Sequence, residues 1–303
     1  MSADLAKVAL AISSHRNDAS VVALLETVFA GQPPFGAVVV VDSQGSGEVE
    51  REAKRRGWRL NYFNSPENLG SAGNLRERLE ICANLGMDWC YAVNHDGVAE
   101  QRVALGLLKH CSSGERIGAA YPAIRYSQAN DRVEPARLRL SPFSPRNQKL
   151  VGLISEVAWG SSNSALYNLK PFREGIEVWP ELWMGWEDLA YGWLLSTHGW
   201  RQIRCADVEV VDDYEYQRVR LFGRNFYIAD KPPWYMYYQL RNLVIIGRRS
   251  RWKAIGPAGL AARTIGDLFL TALKRDRGSR ISLLMRGLLA GLRGDSGKGP
   301  VPR

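Results

Sequence analysis

The sequence predicts an α/β protein: a single domain built on a mostly parallel, doubly wound sheet, followed by a helical, basic C-terminal segment. Three observations predict it. Short apolar runs alternate with amphipathic runs through the first hundred residues. The clearest strand, FGAVVVVDS (35–43), carries four consecutive valines and reads as buried on both faces. The charge is lopsided: residues 248–303 hold 13 Lys/Arg against 3 Asp/Glu, while the preceding 247 hold 27 against 28.

The elements follow in order. KVALAIS (7–13) is a first strand, not a signal peptide, because Lys7 splits the apolar start and no small-residue cleavage site follows. DASVVALLETVFAG (18–31) is a helix capped by Asp18 and stopped by Gly31. After the valine strand, GEVEREAKRRG (47–57) is a polar surface helix and WRLNYFN (58–64) a third strand. SAGNLRERLEICANLG (71–86) is a helix, DWCYAVNHDG (88–97) a fourth strand, and EQRVALGLLKHC (100–111) the helix after it. Residues 121–150, rich in Pro, Arg and Ser, read as loop or irregular sheet, and SEVAWGSSNSALYNL (155–169) as a strand entering a small-residue turn. The expected organisation is two halves of one domain (1–112 and 113–215) followed by a C-terminal helical segment (216–303).

Alternating strands and helices place ligands beyond the carboxyl ends of the strands. The residues expected there are Ser13, Ser14 and His15, then Asp42 and Ser43, then Asn94, His95 and Asp96. An aspartate at such an end beside a glycine can hold Mg²⁺ or Mn²⁺ on a diphosphate; it can equally be a solvated turn residue. ENLGSAGN (67–74) enters a helix whose free N–H groups favour phosphate, although an ordinary turn with Ser71 as N-cap explains it as well. Four scattered cysteines without a CxxC pair indicate neither zinc nor a disulfide framework, and fit a reducing cytoplasm. No apolar run approaches the roughly 18 residues of a membrane span.

PELWMGWEDLAYGWLLSTHGW (180–200) sets Glu187 and Asp188 among Trp183, Trp186, Trp193 and Trp200. Acids in the first turn of a helix are favoured by its dipole, but that leaves the tryptophans unaccounted for. Indole offers a flat face to sugar C–H groups, and a carboxylate beside it can act as general base towards a hydroxyl. Desolvation by the rings raises its basicity.

These motifs, in this order, resemble the family 2 glycosyltransferases of GT-A fold, closest in style to bacterial rhamnosyltransferase-like members. VVVVDSQGSGE resembles the family strand whose Asp contacts the base, here Asp42; ENLGSAGN resembles its N-x-G…N element, here Asn68, Gly70 and Asn74. NHDG stands where the family has DxD, so Asp96 matches the metal-binding acid and Asn94 replaces its first member. GWED resembles the acceptor-side motif whose second acid, Asp188, is the catalytic base, with Glu187 beside it; Ala190 replaces a further acid. Asp212 stands where many members have a metal-binding His. WYMYYQLRN and RGLLAGLRGDSGKG resemble the family's C-terminal signatures.

The resemblance implies an inverting transfer from a UDP- or dTDP-linked sugar, rhamnose among them, to a bacterial surface glycan or lipid-linked saccharide. Residues 1–112 are then the nucleotide-sugar-binding half and 113–215 the acceptor-binding, catalytic half: Ser13, His15, Asp42, Asn68, Gly70, Asn74, Asn94 and Asp96 are expected at the donor, Trp159, Trp183 and Trp186 at the acceptor, and Asp96 and Asp212 on Mg²⁺ or Mn²⁺. Arg241 and Asn242 either reach the site or pack a helix. In the tail, Ile281, Leu284, Leu288 and Leu292 recur near helical spacing beside Arg280, Arg286 and Arg293. This suits a helix lying on the anionic inner face of a cell membrane, or one packed on the body with its charges solvated. A degenerate nucleotide-sugar-binding scaffold is the competing class, favoured by Asn94 and Ala190. The near-neutral body argues against a nucleic-acid binder, and no Gly-rich basic loop after the first strand supports a nucleotidyltransferase.

Overall fold

Valines 38–41 have no polar face to give to water, and the strand they build lies inside the sheet. The computed structural model describes residues 5–30, 35–111, 116–126, 153–212, 216–221, 224–229, 231–272, 274 and 276–300. Strand β2 (Ala37–Ser43) is buried from Val38 onwards and pairs in parallel with β1 (Val8–His15) and β3 (Asn61–Ser65). On its other side β1 pairs in parallel with β4 (Trp89–Asn94). Helices α1 (Asp18–Ala30), α2 (Glu48–Arg56) and α3 (Gly70–Asn84) connect these strands, and α4 (Gln101–Cys111) leaves the last.

The sheet continues past β4. Strand β7 (Ala165–Asn168) runs antiparallel to both β4 and β5 (Ile117–Tyr126). The long β8 (Arg201–Asp212) pairs in parallel with β5, and β6 (Ile154–Glu156) closes the edge antiparallel to it. The order is β3-β2-β1-β4-β7-β5-β8-β6, with a separate hairpin of β9 (Tyr216–Leu221) and β10 (Arg224–Ala229). Residues 121–126, expected as loop or irregular sheet, belong to β5. Pro122 masks this in the sequence because it cannot donate to a ladder, and the β5–β8 register shifts right after it.

Alternation along the strands divides the core. Leu10, Ile12, Val40, Tyr91 and Val93 meet Val21 and Leu25 of α1 and Val103 and Leu107 of α4. Ala9, Ala11, Val39, Val41, Cys90 and Ala92 meet Leu75, Leu79 and Cys82 of α3. The second face is lined by small residues, which lets α3 lie close: its buried Arg78 donates to the carbonyls of Ala11 and Val93 at 3.2 and 3.0 Å. The short α5 (Lys170–Arg173) and α6 (Glu187–Thr197) follow β7. Three C-terminal helices, α7 (Tyr235–Arg249), α8 (Pro257–Ala272) and α9 (Arg277–Arg293), form a layer of their own in which α7 is the buried member.

Candidate active site

Parallel register brings the expected strand-end residues to one edge. Ser14 lies opposite Asp42, His15 opposite Ser43, and Ser13 opposite Asn94. The Ser13 hydroxyl donates to Asn94 Oδ1 at 2.9 Å, and the Asn94 backbone N–H donates to Asn163 Oδ1 at 3.0 Å. Asn163 was not singled out as a site residue in the sequence, although it ends the small-residue turn before β7. A side chain at Gly97 would meet the same Asn163 oxygen at 2.5 Å, so the turn after Asp96 is held tight against it. Asp96 itself is exposed.

Asp42 is fully buried, and Tyr62 donates its phenol to Asp42 Oδ2 at 3.2 Å. Burial pushes the Asp42 carboxyl above its ordinary range; the Ser14 hydroxyl pulls it back, and the neighbouring Asp18 charge raises it again. Ser14 favours the charged form by proximity rather than by a well-formed bond, because Ser14 Oγ and Asp42 Oδ1 are both buried without a hydrogen-bond partner.

The entry to α3 links this edge to the acids. Asn68 Nδ2 lies 3.1 Å from His15 Nε2, which is 3.4 Å from Gln44 Oε1. Asn68 Oδ1 accepts from the Gly70 N–H at 2.9 Å in a turn just ahead of the helix, whose N-cap position is Leu69 rather than Ser71. Ser71 serves the acid loop instead, accepting from the Gly185 N–H at 3.3 Å. Gly70, at φ +64°, has no room for a side chain: a Cβ would overlap the Trp183 carbonyl. That carbonyl accepts from the Ala72 N–H at 3.1 Å, and Trp183 Nε1 donates to the Asn68 carbonyl at 3.0 Å. Asn74 is buried, its amide given to the Val41 carbonyl at 2.9 Å.

Helix α6 opens on the two acids. Trp186 precedes it in the left-handed region at φ 68°, after Gly185 at φ +81°. Glu187 is buried. Burial pushes its carboxyl up, while its own N–H, the Ser71 hydroxyl, Lys231 and the Gly185 N–H draw it down. Glu187 Oε2 has no hydrogen-bond partner. Asp188 is half-buried and accepts from the Leu189 N–H at 2.8 Å. Beneath it lie Tyr121 and Tyr167, whose phenols are raised chiefly by burial and further by the Asp188 charge. Gln202 accepts from the Tyr121 hydroxyl at 2.8 Å and donates to the Ala158 and Gly192 carbonyls at 2.6 and 2.8 Å, fastening α6 to the sheet.

The tryptophans divide. Trp159 and Trp186 are half-buried and meet edge to face, 6.1 Å between centroids. Trp186 Nε1 donates to the Gln239 carbonyl at 3.1 Å. Trp183 was expected at the acceptor, yet it is 5% exposed and packs on Tyr238 with centroids 4.9 Å apart. Its ring is anchored in the protein, because its N–H finds a partner only there.

Arg241 and Asn242 of α7 clamp this loop from behind. Arg241 donates to the Leu182 carbonyl at 2.7 Å; Asn242 donates to those of Leu182, Met184 and Gly185 at 2.9, 2.9 and 2.7 Å. Their place is in packing, behind the acids.

Among the described residues no three His, Cys, Asp or Glu side chains gather as a metal site. Asp212 ends β8 opposite Tyr126, and its side chain lies outside the described residues. Asp96 offers one hard, exposed carboxylate at the strand edge. That donor fits Mg²⁺ or Mn²⁺, which bind through one or two carboxylates when substrate phosphates complete the shell.

The order of strands and helices is that of the GT-A fold. No protein-family model and no curated protein sequence matches the chain. Solved structures do. The chain is similar to the mannosyltransferase PcManGT from Pyrobaculum calidifontis, in complex with GDP-Man and Mn²⁺: TM-score 0.57, 13% identity, 94% of this chain and 87% of that one. It is similar to GalNAc-T7 with UDP, GalNAc and Mn²⁺: TM-score 0.59, 10% identity, 95% of this chain and 56% of that one. It is also similar to residues 1–349 of S. aureus TarS in complex with UDP-GlcNAc: TM-score 0.52, 12% identity, 95% of this chain and 88% of that one.

Proposed function

We propose that the protein is an inverting glycosyltransferase that moves a sugar from a nucleoside diphosphate to an acceptor hydroxyl. One observation carries the reading: the loop bearing the acids is hydrogen-bonded onto the entry of α3, whose Asn68 in turn touches His15 at the strand edge. Donor edge and acid pair therefore share one rim.

In this reading the base lies near Ser13, His15 and Asp42, and the diphosphate near Asn94 and Asp96. Asp188 takes the proton from the acceptor hydroxyl. The acceptor oxygen bonds to the anomeric carbon as the carbon–oxygen bond to the diphosphate breaks on the opposite face, and configuration inverts. Ser71 holds the turn through the Gly185 N–H, with Glu187 buried beside it and Asp188 following at the half-exposed position. Trp159 and Trp186 border the acceptor. A divalent cation held by Asp96 and the phosphates would neutralise charge on the departing diphosphate. The resemblance favours a UDP- or dTDP-linked donor, rhamnose among its sugars, and a bacterial surface glycan or lipid-linked saccharide at a membrane as acceptor. The neighbours' ligands add GDP to the nucleotides worth testing.

Calorimetric titration with UDP, dTDP, GDP and CDP, each with Mn²⁺, Mg²⁺ or EDTA, tests the donor half. Metal-dependent binding of one nucleotide is expected, with turnover of the matching sugar. Nucleotide binding without turnover would favour the degenerate scaffold that Asn94 and Ala190 keep in contention; no binding by folded protein would overturn the donor site.

A further inference from the structure

Five large apolar side chains stand exposed on two neighbouring helices: Ile265 (68%) and Phe269 (53%) on α8, and Met285 (39%), Leu289 (48%) and Leu292 (54%) on α9. The other exposed large apolar residues among those described, Phe63, Leu85, Leu153, Ile154 and Val211, are dispersed over the α/β body. On α8 the exposed positions continue to Ala262 and Ala258, three or four residues apart, so one face of the helix is apolar and open. Of the four positions in the sequence pattern on α9, only Leu292 lies on this outward face. Leu284 is fully buried, with Ile281 and Leu288 partly so; these residues lie on the inner side of α9.

The inner faces are fixed. A side chain on Gly287 would overlap the Tyr237 carbonyl, and one on Gly291 would come within 2.8 Å of the Arg241 carbonyl, so α9 lies directly on α7. Arg263 of α8 pairs with Asp267 at 2.8 Å and donates to Gln239 of α7 at 3.2 Å. Both helices thus keep their remaining apolar faces away from α7. Around those faces Arg277, Arg286, Arg293 and Lys298 are exposed. Of the three acids in this segment, Asp267 and Asp276 are taken by Arg263 and Arg280. Among the described residues no helix is long and apolar enough to cross a membrane. An apolar face bordered by cations, on a helix that cannot span, is what lies in the plane of an anionic lipid surface. A second copy of the chain would bring the same positive field against itself.

We infer that the outward faces of α8 and α9 form a docking surface for an anionic membrane, with Ile265, Phe269, Met285, Leu289 and Leu292 entering the interface and Arg277, Arg286, Arg293 and Lys298 meeting lipid phosphates. The surface is coupled to the acid loop. The Gly297 N–H, just after α9, donates to the Glu181 carbonyl at 2.6 Å, and Arg241 bridges the carbonyls of Gly297 and Leu182 at 2.6 and 2.7 Å. A docked protein therefore holds the loop before Glu187 in a fixed attitude to the bilayer, which suits a lipid-linked acceptor; that last step rests on the proposed function, whereas the docking does not.

The test is sedimentation of the full chain with vesicles of phosphatidylcholine alone or mixed with phosphatidylglycerol, across a salt series. Expected is binding to the mixed vesicles about tenfold tighter than to the neutral ones, weakening with salt. The surface variant Ile265→Ser/Phe269→Ser/Leu289→Ser should lose about tenfold in binding to mixed vesicles while keeping its circular dichroism. Arg286→Glu/Arg293→Glu should lose the preference for phosphatidylglycerol. Failure of the folded wild type to bind mixed vesicles, or equal binding by the triple serine variant, overturns the inference. So does a dimer in light scattering that the serine variant dissolves without any vesicle binding, which would assign the face to a second copy. Nucleotide titration of the same preparations reports the donor site separately: lipid binding without nucleotide binding overturns the transferase reading alone, and the reverse overturns docking alone.

Discussion

The side-chain nitrogen of Asn242 lies 2.7 Å from the carbonyl oxygen of Gly185, two residues ahead of Glu187, and the same nitrogen reaches the carbonyls of Leu182 and Met184 at 2.9 Å. Three acceptors share the two hydrogens of one amide. Truncation to alanine takes this donor from the Met184 and Gly185 carbonyls, while that of Leu182 keeps Arg241, at a cost of about 1–3 kcal/mol. Asn242→Ala is therefore expected to lower stability by that amount in urea unfolding. It should also reduce turnover while nucleotide affinity holds, because the strand edge is untouched. Loss of affinity with unchanged turnover would show that the clamp does not position the acids.

Gly70 and Gly86 separate two costs of glycine replacement. Both have positive φ, +64° and +73°, so both lose the conformation that glycine adopts without strain. A Cβ at Gly86 meets nothing within 4 Å, while one at Gly70 overlaps the Trp183 carbonyl. Gly86→Ala should cost about 1–2 kcal/mol, the left-handed penalty alone. Gly70→Ala should cost that plus about 1–3 kcal/mol of forced displacement, and should also move Trp183 off Asn68. Denaturation midpoints and tryptophan fluorescence of the two variants check this; equal losses would mean that the α3–loop contact yields freely.

Glu187 gives the protein a pH signature. Its carboxyl is raised above its ordinary value, first by burial, so the native state holds this proton more tightly than the unfolded chain does. Between the two pKa values the native state binds more protons, and the Glu187 contribution to stability falls as pH rises. It is fully present below the unfolded value and lost as pH climbs through the folded one. Urea unfolding of wild type and Glu187→Gln across the acid-to-neutral range should show the difference, wild type minus variant, falling with pH. A difference that rises with pH would mean that the Ser71 hydroxyl and the N–H groups outweigh burial.

How much of this was legible follows the range of the interactions. The strand edge was readable because parallel strands deliver their carboxyl ends to one side whatever else the chain does, and Ser14–Asp42 and Ser13–Asn94 are neighbours for that reason. The α6 start at Glu187 was readable from local chemistry. The pairing of Asn163 with Asn94, 69 residues apart, left no local mark, nor did that of Asn242 with Leu182, 60 apart. Trp183 looks like an open platform in sequence because nothing nearby shows Tyr238 and Trp234 arriving to cover it. On α9 the apolar spacing left two readings open, and the buried Leu284 with glycines 287 and 291 against α7 shows most of that stripe packed on the body.

Asp188 and Asp96 should fail in opposite ways. Asp188 accepts from the Leu189 N–H through Oδ1, and an asparagine keeps that acceptor and the side-chain volume while losing the ability to take a proton. Asp188→Asn should bind nucleotide as the wild type does and lose about 10²–10⁴-fold in turnover, the range for removal of a general base. Asp96 stands exposed after β4, at the turn that Asn163 holds tight. Asp96→Ala removes the exposed carboxylate after β4, so nucleotide affinity should fall in Mn²⁺ or Mg²⁺ and stay unchanged in EDTA. Calorimetry of both variants, with and without metal, beside initial rates at saturating donor, separates the roles. Full turnover by Asp188→Asn removes it as the base, and metal-dependent affinity that survives in Asp96→Ala transfers the cation to other ligands.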